Sequence, residues 1–479
     1  MNEGIGVFRE LSREQREERL RRSGLAAALE KESAEEGRER QGRELLLQNR
    51  ASGMYRPRGN AESPPGPGGP QLRCAVRVHA LRPLQYRLTG AGAAMGAASV
   101  WRPAALPLPG WSAEALPGTG ERAAQGGETG PLLRRACRTA VRALYALGLD
   151  SGEAELAALG GGRFAVLAVR PATAGRDGRL PEPYASAEAA LRRALAGEPG
   201  GRPGLLMGMD PEFLVLRGDT GRVVPASRYL PRDGVAGCDA GPPGTRGLFP
   251  VGELRPAAQA APRALLAQLR SAARLADRLM PDRRLAWRAG GMPLRGWALG
   301  GHLHFSGVQL TAPLLRALDN YLALPMALLA DSRASGRCPR YGTLGDFRLQ
   351  PHGGFEYRTL PSFLVSPSVA EGAVHLGHLI VARYEELRLR PLDSERAHRA
   401  YYAGDKEPLR AVFPELAGDL RRLPGYAAAA EAAEPLFRRI EAGLSWDESE
   451  DVRELWRGCD IIDNSMKRHG GEPWQNTRQ

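Results

Sequence analysis

The 479-residue sequence predicts an α+β protein: a mainly antiparallel sheet with flanking helices over 205–400, preceded by a small α/β unit and bounded by helical segments at both ends. Three observations predict it. Runs 206–216, 248–254, 297–308 and 355–360 are short and strand-like. Runs 262–280, 312–330 and 368–389 have helical spacing and separate those strands. The turn Arg217-Gly218-Asp219-Thr220-Gly221, followed by a returning run at 222–225, opens the series with a hairpin.

In chain order, residues 1–55 read as a charged helical arm. The first 50 residues hold 11 basic and 11 acidic side chains, interleaved so that i,i+4 pairs support a solvated helix; a helix that binds a partner protein is the alternative. Residues 56–72, with Ser63-Pro64-Pro65-Gly66-Pro67-Gly68-Gly69-Pro70, form a linker. Residues 73–200 make the small α/β unit. It has strands at 74–79 and 163–169, helices at 132–147 and 186–196 with Ser186 as N-cap, and a Pro/Gly-rich loop over 100–130. Residues 401–479 are short helical segments rich in Ala, Glu and Arg.

Composition removes several function classes. The net charge is +12, but 63 of the 66 basic residues are arginines spread along the chain, and no aromatic-interleaved basic segment supports nucleic-acid binding. Lys31, Lys406 and Lys467 are the only lysines and none follows a glycine-rich loop, which excludes a P-loop and argues against Schiff-base chemistry. The five cysteines lie far apart without a C-x-x-C, against a cysteine zinc site or a disulfide framework. No apolar run approaches the ~20 residues that cross a bilayer, and Met1 to Arg22 has no apolar signal core, so a cytoplasmic protein is expected.

Four segments place polar residues where strands should be apolar. In Gly208-Met209-Asp210-Pro211-Glu212-Phe213 the carboxylates of Asp210 and Glu212 share a strand face and repel unless a cation or proton lies between them. Glu253 and Arg255 stand two apart in Val251-Gly252-Glu253-Leu254-Arg255-Pro256. His302 and His304 do the same in Gly300-Gly301-His302-Leu303-His304-Phe305-Ser306-Gly307, an H-x-H pair suited to a divalent ion. Arg340-Tyr341-Gly342 precedes Phe355-Glu356-Tyr357-Arg358-Thr359-Leu360-Pro361-Ser362, in which Glu356 suits a hard cation and Arg358 phosphate oxygens. Each segment alone also fits a salt-bridged or exposed strand. One sheet face carrying all of them would be ruinous as a core and makes sense as the lining of a cation and phosphate site.

The order D-P-E, E-L-R-P, G-H-L-H-F-S, then R-Y-G with F-E-Y-R-x-L-P-S resembles the glutamine synthetase and glutamate–cysteine ligase superfamily, and more narrowly the phage-type carboxylate–amine ligases (amidoligases, type 2). The resemblance covers about 205–390, with Asp210 where the wider superfamily has glutamate and Asp239-Ala240 where type 2 members tend to have D-G. It implies a glutamine synthetase-like curved antiparallel sheet and an ATP- and Mg²⁺-dependent ligase, with Mn²⁺ as the alternative ion. Such an enzyme joins a small-molecule or peptide carboxylate to an amine through an acyl phosphate. Carried onto this chain, Glu212, Glu253, Glu356 and His304 hold metal, His302, Arg340 and Arg358 contact ATP phosphates, and Asp210 and Arg358 are catalytic, Asp210 as the base.

The physics asks for the same parts, because two anions meet only if cations and arginines screen them. A closing loop should exclude water from the acyl phosphate, and 233–247 and 336–354 are the candidates by composition. Two other readings stay open. One is a zinc or manganese hydrolase using His302 and His304 with His352, His375 or His378. The other is a non-catalytic binding or coat-associated protein on a ligase fold. An ATP-grasp ligase is disfavoured, since no lysine lies between Lys31 and Lys406.

Overall fold

The computed structural model describes residues 4–30, 72–89, 100–104, 130–245, 247–351 and 353–457. The linker over 56–71, most of the arm beyond residue 30, most of the loop over 100–130, His352, and the extension past residue 457 lie outside the described residues.

The N-terminal unit is a six-stranded sheet in the order Ala26–Ala27, Arg163–Pro171, Ser151–Leu159, Arg73–His79, Arg82–Thr89, Arg102–Pro103. Every pairing is antiparallel except the short edge of Ala26–Ala27 on Arg163–Pro171. Helix Pro131–Ala146 covers one face, burying Ala136, Cys137, Ala140, Val141 and Leu144 at three- and four-residue spacing. Four of the six strands were not expected from the sequence, the long Arg82–Thr89 and Ser151–Leu159 because of their mixed composition. The second helix runs Tyr184–Ala196 from an N-cap at Pro183, so Ser186 is not the cap; its hydroxyl donates to Glu182 Oε1 at 2.8 Å.

The charged arm is helical, Ile5–Glu10 and Arg13–Arg22, with Ser12 and Gln15 closing a capping box. It is not a solvated helix. Phe8 and Leu20 are buried, and the buried Arg19 guanidinium donates to the carbonyls of Ala146 at 2.6 Å, Leu392 at 3.0 Å and Asp393 at 3.1 Å. Equal numbers of both charges had concealed one arginine that works as an internal tie.

Two four-stranded antiparallel sheets follow. One runs Leu285–Arg288, Glu212–Arg217, Val251–Leu254, Ala236–Asp239; the other runs Phe347–Leu349, Phe355–Tyr357, Leu303–Ser306, Leu206–Met209. Asp210-Pro211 carries the chain from one sheet into the other. The Asp210 N–H donates to the His302 carbonyl at 3.3 Å and the Glu212 N–H to the Gly300 carbonyl at 3.0 Å, so the ladder continues through the bend. Pro211, which has no N–H to give, occupies the position between. The result is an α+β arrangement in which the junction of the two sheets bears the acidic and imidazole groups.

Helices Pro262–Leu279, Pro367–Arg383, Lys406–Arg422 and Tyr426–Glu441 pack around the sheets in one continuous apolar core. The long helix expected over 312–330 is broken: Ala312–Leu318 and Leu324–Leu329 flank a π turn at Asp319–Ala323. There Asp319 accepts from Tyr145 Oη and Tyr357 Oη, each at 2.7 Å, and Asn320 Oδ1 accepts from Leu392 N at 2.9 Å. Fixed polar partners of this kind are what a π bulge accommodates. Segments 233–247 and 336–354, expected as closing loops, each contribute a strand, Ala236–Asp239 and Phe347–Leu349. Among the described residues no helix is long and apolar enough to cross a membrane.

Candidate active site

The H-x-H strand lies in the middle of its sheet, with His304 in register with Glu356 on one side and Gly208 on the other. Pairing therefore delivers His304 and Glu356 to one face, and the bend at Asp210 turns a second carboxylate onto it. Asp210 Oδ2 lies 3.0 Å from His304 Nε2, and Asp210 Oδ1 lies 3.1 Å from His302 Nδ1. His302 Nδ1 is also 3.3 Å from Glu356 Oε1. Gly300 keeps this corner open, since a Cβ there would meet His302 Nε2 at 2.3 Å.

Glu356 is fully buried and stands at the centre. Its Oε2 accepts from Arg348 Nε at 2.6 Å and Gln350 Nε2 at 3.1 Å, and its Oε1 lies 3.3 Å from Arg358 Nη1. Asp210, His304 and Glu356 each offer a ligand atom within 4.8 Å of the others. Asp210 Oδ1, His304 Nε2 and Glu356 Oε1 are buried, and their contacts are the ion pairs among these same side chains and Arg358. Two carboxylates and an imidazole converging in this way could hold a divalent cation, and the carboxylate majority suits Mg²⁺ or Mn²⁺.

The second sheet supplies the rest. Glu253 stands opposite Glu212 in register. Glu212 Oε2 accepts from the Gly300 N–H at 2.6 Å, and its backbone carbonyl accepts from Ser362 Oγ at 2.5 Å. Arg255 is ion-paired with Glu253 and donates to the Arg232 carbonyl at 3.0 Å. Burial works against charge at every one of these groups, and the neighbours decide the sign. At Asp210 burial raises the pKa, yet the two imidazoles overcome it and hold the carboxyl below its ordinary range. At Glu253 burial, followed by the Asp210 charge, pushes the carboxyl up to about 9 against the pull of Arg255. Glu212 is likewise raised by burial, although the His302 charge opposes it. His302 is raised because its contact with Asp210 outweighs burial.

The expected residues thus assemble in part. Asp210, His302, His304, Glu356 and Arg358 meet directly; Glu212 and Glu253 sit beside them in the adjoining sheet. Arg340 does not join: it is exposed, its guanidinium lying 5.4 Å from the Tyr341 ring centroid. Asp210 stands with His304 and Glu356 in the group that could hold a cation, and its lowered pKa leaves it a weak base. Two contributors were missed, Arg348 and Gln350. The mirrored pattern Phe347-Arg348-Leu349 and Phe355-Glu356-Tyr357 signals a hairpin that puts Arg348 opposite Glu356. The flanking glycines had drawn that segment into a loop reading. Of the further histidines that a hydrolase would need, His352 lies outside the described residues, while His375 and His378 are on helix Pro367–Arg383, where His378 Nε2 lies 3.1 Å from the Ala260 carbonyl.

No curated protein matches the chain. Among solved structures, a bifunctional glutathione synthetase from Pasteurella multocida aligns at 14% identity over 53% of this chain and 48% of that one, with a TM-score of 0.32. The chain therefore spans about half the length of that enzyme. A structure titled as a novel glutamine synthase homolog aligns at 15% identity over 58% and 79%, with a TM-score of 0.24. At these scores neither likeness bears on what the chain does. The family comparison is of another kind. Residues 207–457, more than half of the chain and the whole of the site, match the phage phiEco32-like COOH.NH2 ligase-type 2 family. The chain belongs to that carboxylate–amine ligase family.

Proposed function

We propose that this protein is an ATP-dependent carbon–nitrogen ligase that activates a carboxylate as an acyl phosphate and passes it to an amine. The observation that carries the reading is the convergence of buried Asp210, His304 and Glu356 ligand atoms beside the Arg348 and Arg358 guanidiniums.

Asp210, His304 and Glu356 would hold Mg²⁺ or Mn²⁺. When bound, the ion neutralises phosphate charge and lets the triphosphate approach a carboxylate. Arg358 and Arg348 are held by Glu356 in the free protein and swing their donors to the γ-phosphoryl oxygens, whose charge grows in the transition state. His302, locked between Asp210 and Glu356, keeps both ligand carboxylates in place. Carboxylate oxygen attack on the γ-phosphorus gives acyl phosphate and ADP. The amine nitrogen then attacks the acyl carbon, the C–N bond forms, and inorganic phosphate leaves with the electron pair of the broken C–O bond. We assign the proton that the attacking ammonium must lose to Glu212, whose carboxyl is raised by burial toward a better base; Glu253 is already ion-paired with Arg255.

The test is thermal unfolding of the chain with Mg²⁺ and ATP, separately and together. A ligand at ~100 times its dissociation constant adds about 2.7 kcal/mol, which is readily measured. Stabilisation that needs both components, and that Glu356→Ala and Arg358→Ala both lose along with ATP turnover, is the expected result. Stabilisation by Zn²⁺ or Mn²⁺ alone, with no nucleotide effect, would sink the ligase reading in favour of a metallohydrolase.

A further inference from the structure

We infer that Tyr145, which lies outside the stretch shared with the ligase family, is a positioning residue of the active site: through Asp319 it sets the hairpin that carries Arg348, Glu356 and Arg358. The inference deepens the ligase reading above and rests on it for the role of the nucleotide.

The hairpin consists of two three-residue strands, Phe347–Leu349 and Phe355–Tyr357, with Arg348 in register with Glu356. Side chains alternate along a strand, so Tyr357 takes the face opposite to Glu356 and Arg358. Its hydroxyl donates to Asp319 Oδ1 at 2.7 Å. The hydroxyl of Tyr145, on helix Pro131–Ala146 of the N-terminal unit, donates to Asp319 Oδ2 at 2.7 Å. The Gly345 N–H, two residues before Phe347, donates to the same carboxylate. One buried side chain thus collects a donor from each half of the hairpin and one from the N-terminal unit.

Tyr145 also meets the hairpin directly. Gly345 has a φ of +69°, and a Cβ there would lie 2.1 Å from Tyr145 Cε1, so the ring lies against the backbone that leads into the Arg348 strand. The residues around Gly345 are bonded to those around Arg358. The Thr343 carbonyl accepts from Thr359 Oγ1 at 2.9 Å, and the Asp346 carbonyl accepts from the Arg358 N–H at 2.9 Å. A displacement at Gly345 is therefore passed to the arginine. Behind Asp319, buried Arg316 pairs with Asp150 of the N-terminal unit at 2.6 Å, which ties the helix before the π turn to that unit a second time. Hydrogen bonds to a buried carboxylate are charge-assisted and directional. Without the Tyr145 hydroxyl, Asp319 Oδ2 loses that donor, and the carboxylate on which Tyr357 rests is free to turn. Glu356 and its two arginines move with that strand, and a cation and phosphate site tolerates little displacement.

The experiment compares the full chain with Tyr145→Phe, Asp319→Asn and the double variant, all of which keep side-chain volume. Tyr426→Phe is the control, because Tyr426 Oη makes a bond of the same kind to Glu434 at 2.6 Å on a helix that contributes no site residue. Two half-saturating concentrations are read on the folded chain, that of Mn²⁺ alone by electron paramagnetic resonance and that of ATP with Mg²⁺ by equilibrium dialysis, with urea denaturation reporting stability separately. Tyr145→Phe and Asp319→Asn should each raise both concentrations at least about threefold, while Tyr426→Phe raises neither. The double variant should match Asp319→Asn, since Tyr145 acts through that carboxylate. Wild-type affinities in Tyr145→Phe would overturn the inference, as would an equal loss in Tyr426→Phe or a double variant whose losses multiply. A wild type that binds Mn²⁺ but not ATP would remove the ligase reading and leave this inference to be decided by the Mn²⁺ shift. A wild type that binds neither would overturn both.

Discussion

Glu356 shows how much one residue can owe to its neighbours. It is fully buried, yet its two oxygens meet Arg348, Gln350, His302 and Arg358 within 3.3 Å. The i,i+2 relation to Arg358 is plain in the sequence, because period-two spacing is local geometry. The bond to Arg348 is not, because it needs a hairpin between them. Asp319 makes the same point away from the site. Burial pushes its carboxyl up to about 7, although hydrogen bonds from Tyr357 and Tyr145 pull the other way. A carboxyl raised in the folded state favours folding while protonated. Its contribution is complete below the ordinary value near ~3.9 and is lost as pH rises toward 7. Asp319→Asn should therefore flatten the fall in stability between about pH 4 and pH 7, by up to ~1.4 kcal/mol per pH unit. Urea denaturation of both chains across that range checks it, and parallel curves would refute the assignment.

At the scale of elements, the strands that carry chemistry were legible and the helices mostly so. D-P-E, E-L-R-P, H-x-H and E-x-R all lie on or beside strands of the two sheets. What composition concealed were strands inside Gly/Pro-rich stretches, Phe347–Leu349 and Ala236–Asp239, where partners override local preference. Helix packing is set with similar economy. Helices Pro367–Arg383 and Tyr426–Glu441 approach at Gly372, where a Cβ would lie 2.0 Å from Leu436 Cδ1 and 3.1 Å from the Ala432 carbonyl. Gly372→Ala should force the pair apart at a cost of about 1–3 kcal/mol, despite the better helix propensity of alanine. Chemical denaturation measures it; a variant as stable as the wild type would show that Leu436 simply rotates away.

Over the whole molecule, segments distant in sequence hold the site region together. Glu448 accepts from the N–H groups of Gly291 and Met292 and from Trp446 Nε1, and buried Arg453 pairs with Asp277 at 2.7 Å. The N-terminal arm ties in through Arg19, which reaches Ala146, Leu392 and Asp393. Arg19→Ala should cost about 2–4 kcal/mol, since it strands buried carbonyls as well as removing a charge-assisted donor; a loss under about 0.5 kcal/mol would mean the arm is not anchored there. By itself the sequence determined the α+β class, the order of the motifs, and the residues of most of the site, because strand alternation and charge in an apolar context are local properties. Only the tertiary structure decided that Asp210 joins His304 and Glu356, that Arg348 pairs with Glu356 while Arg340 is exposed, that Glu253 faces Glu212, and that the arm is docked. Each of these depends on strand register or on contact between segments tens to hundreds of residues apart, and neither spacing nor composition encodes such pairings.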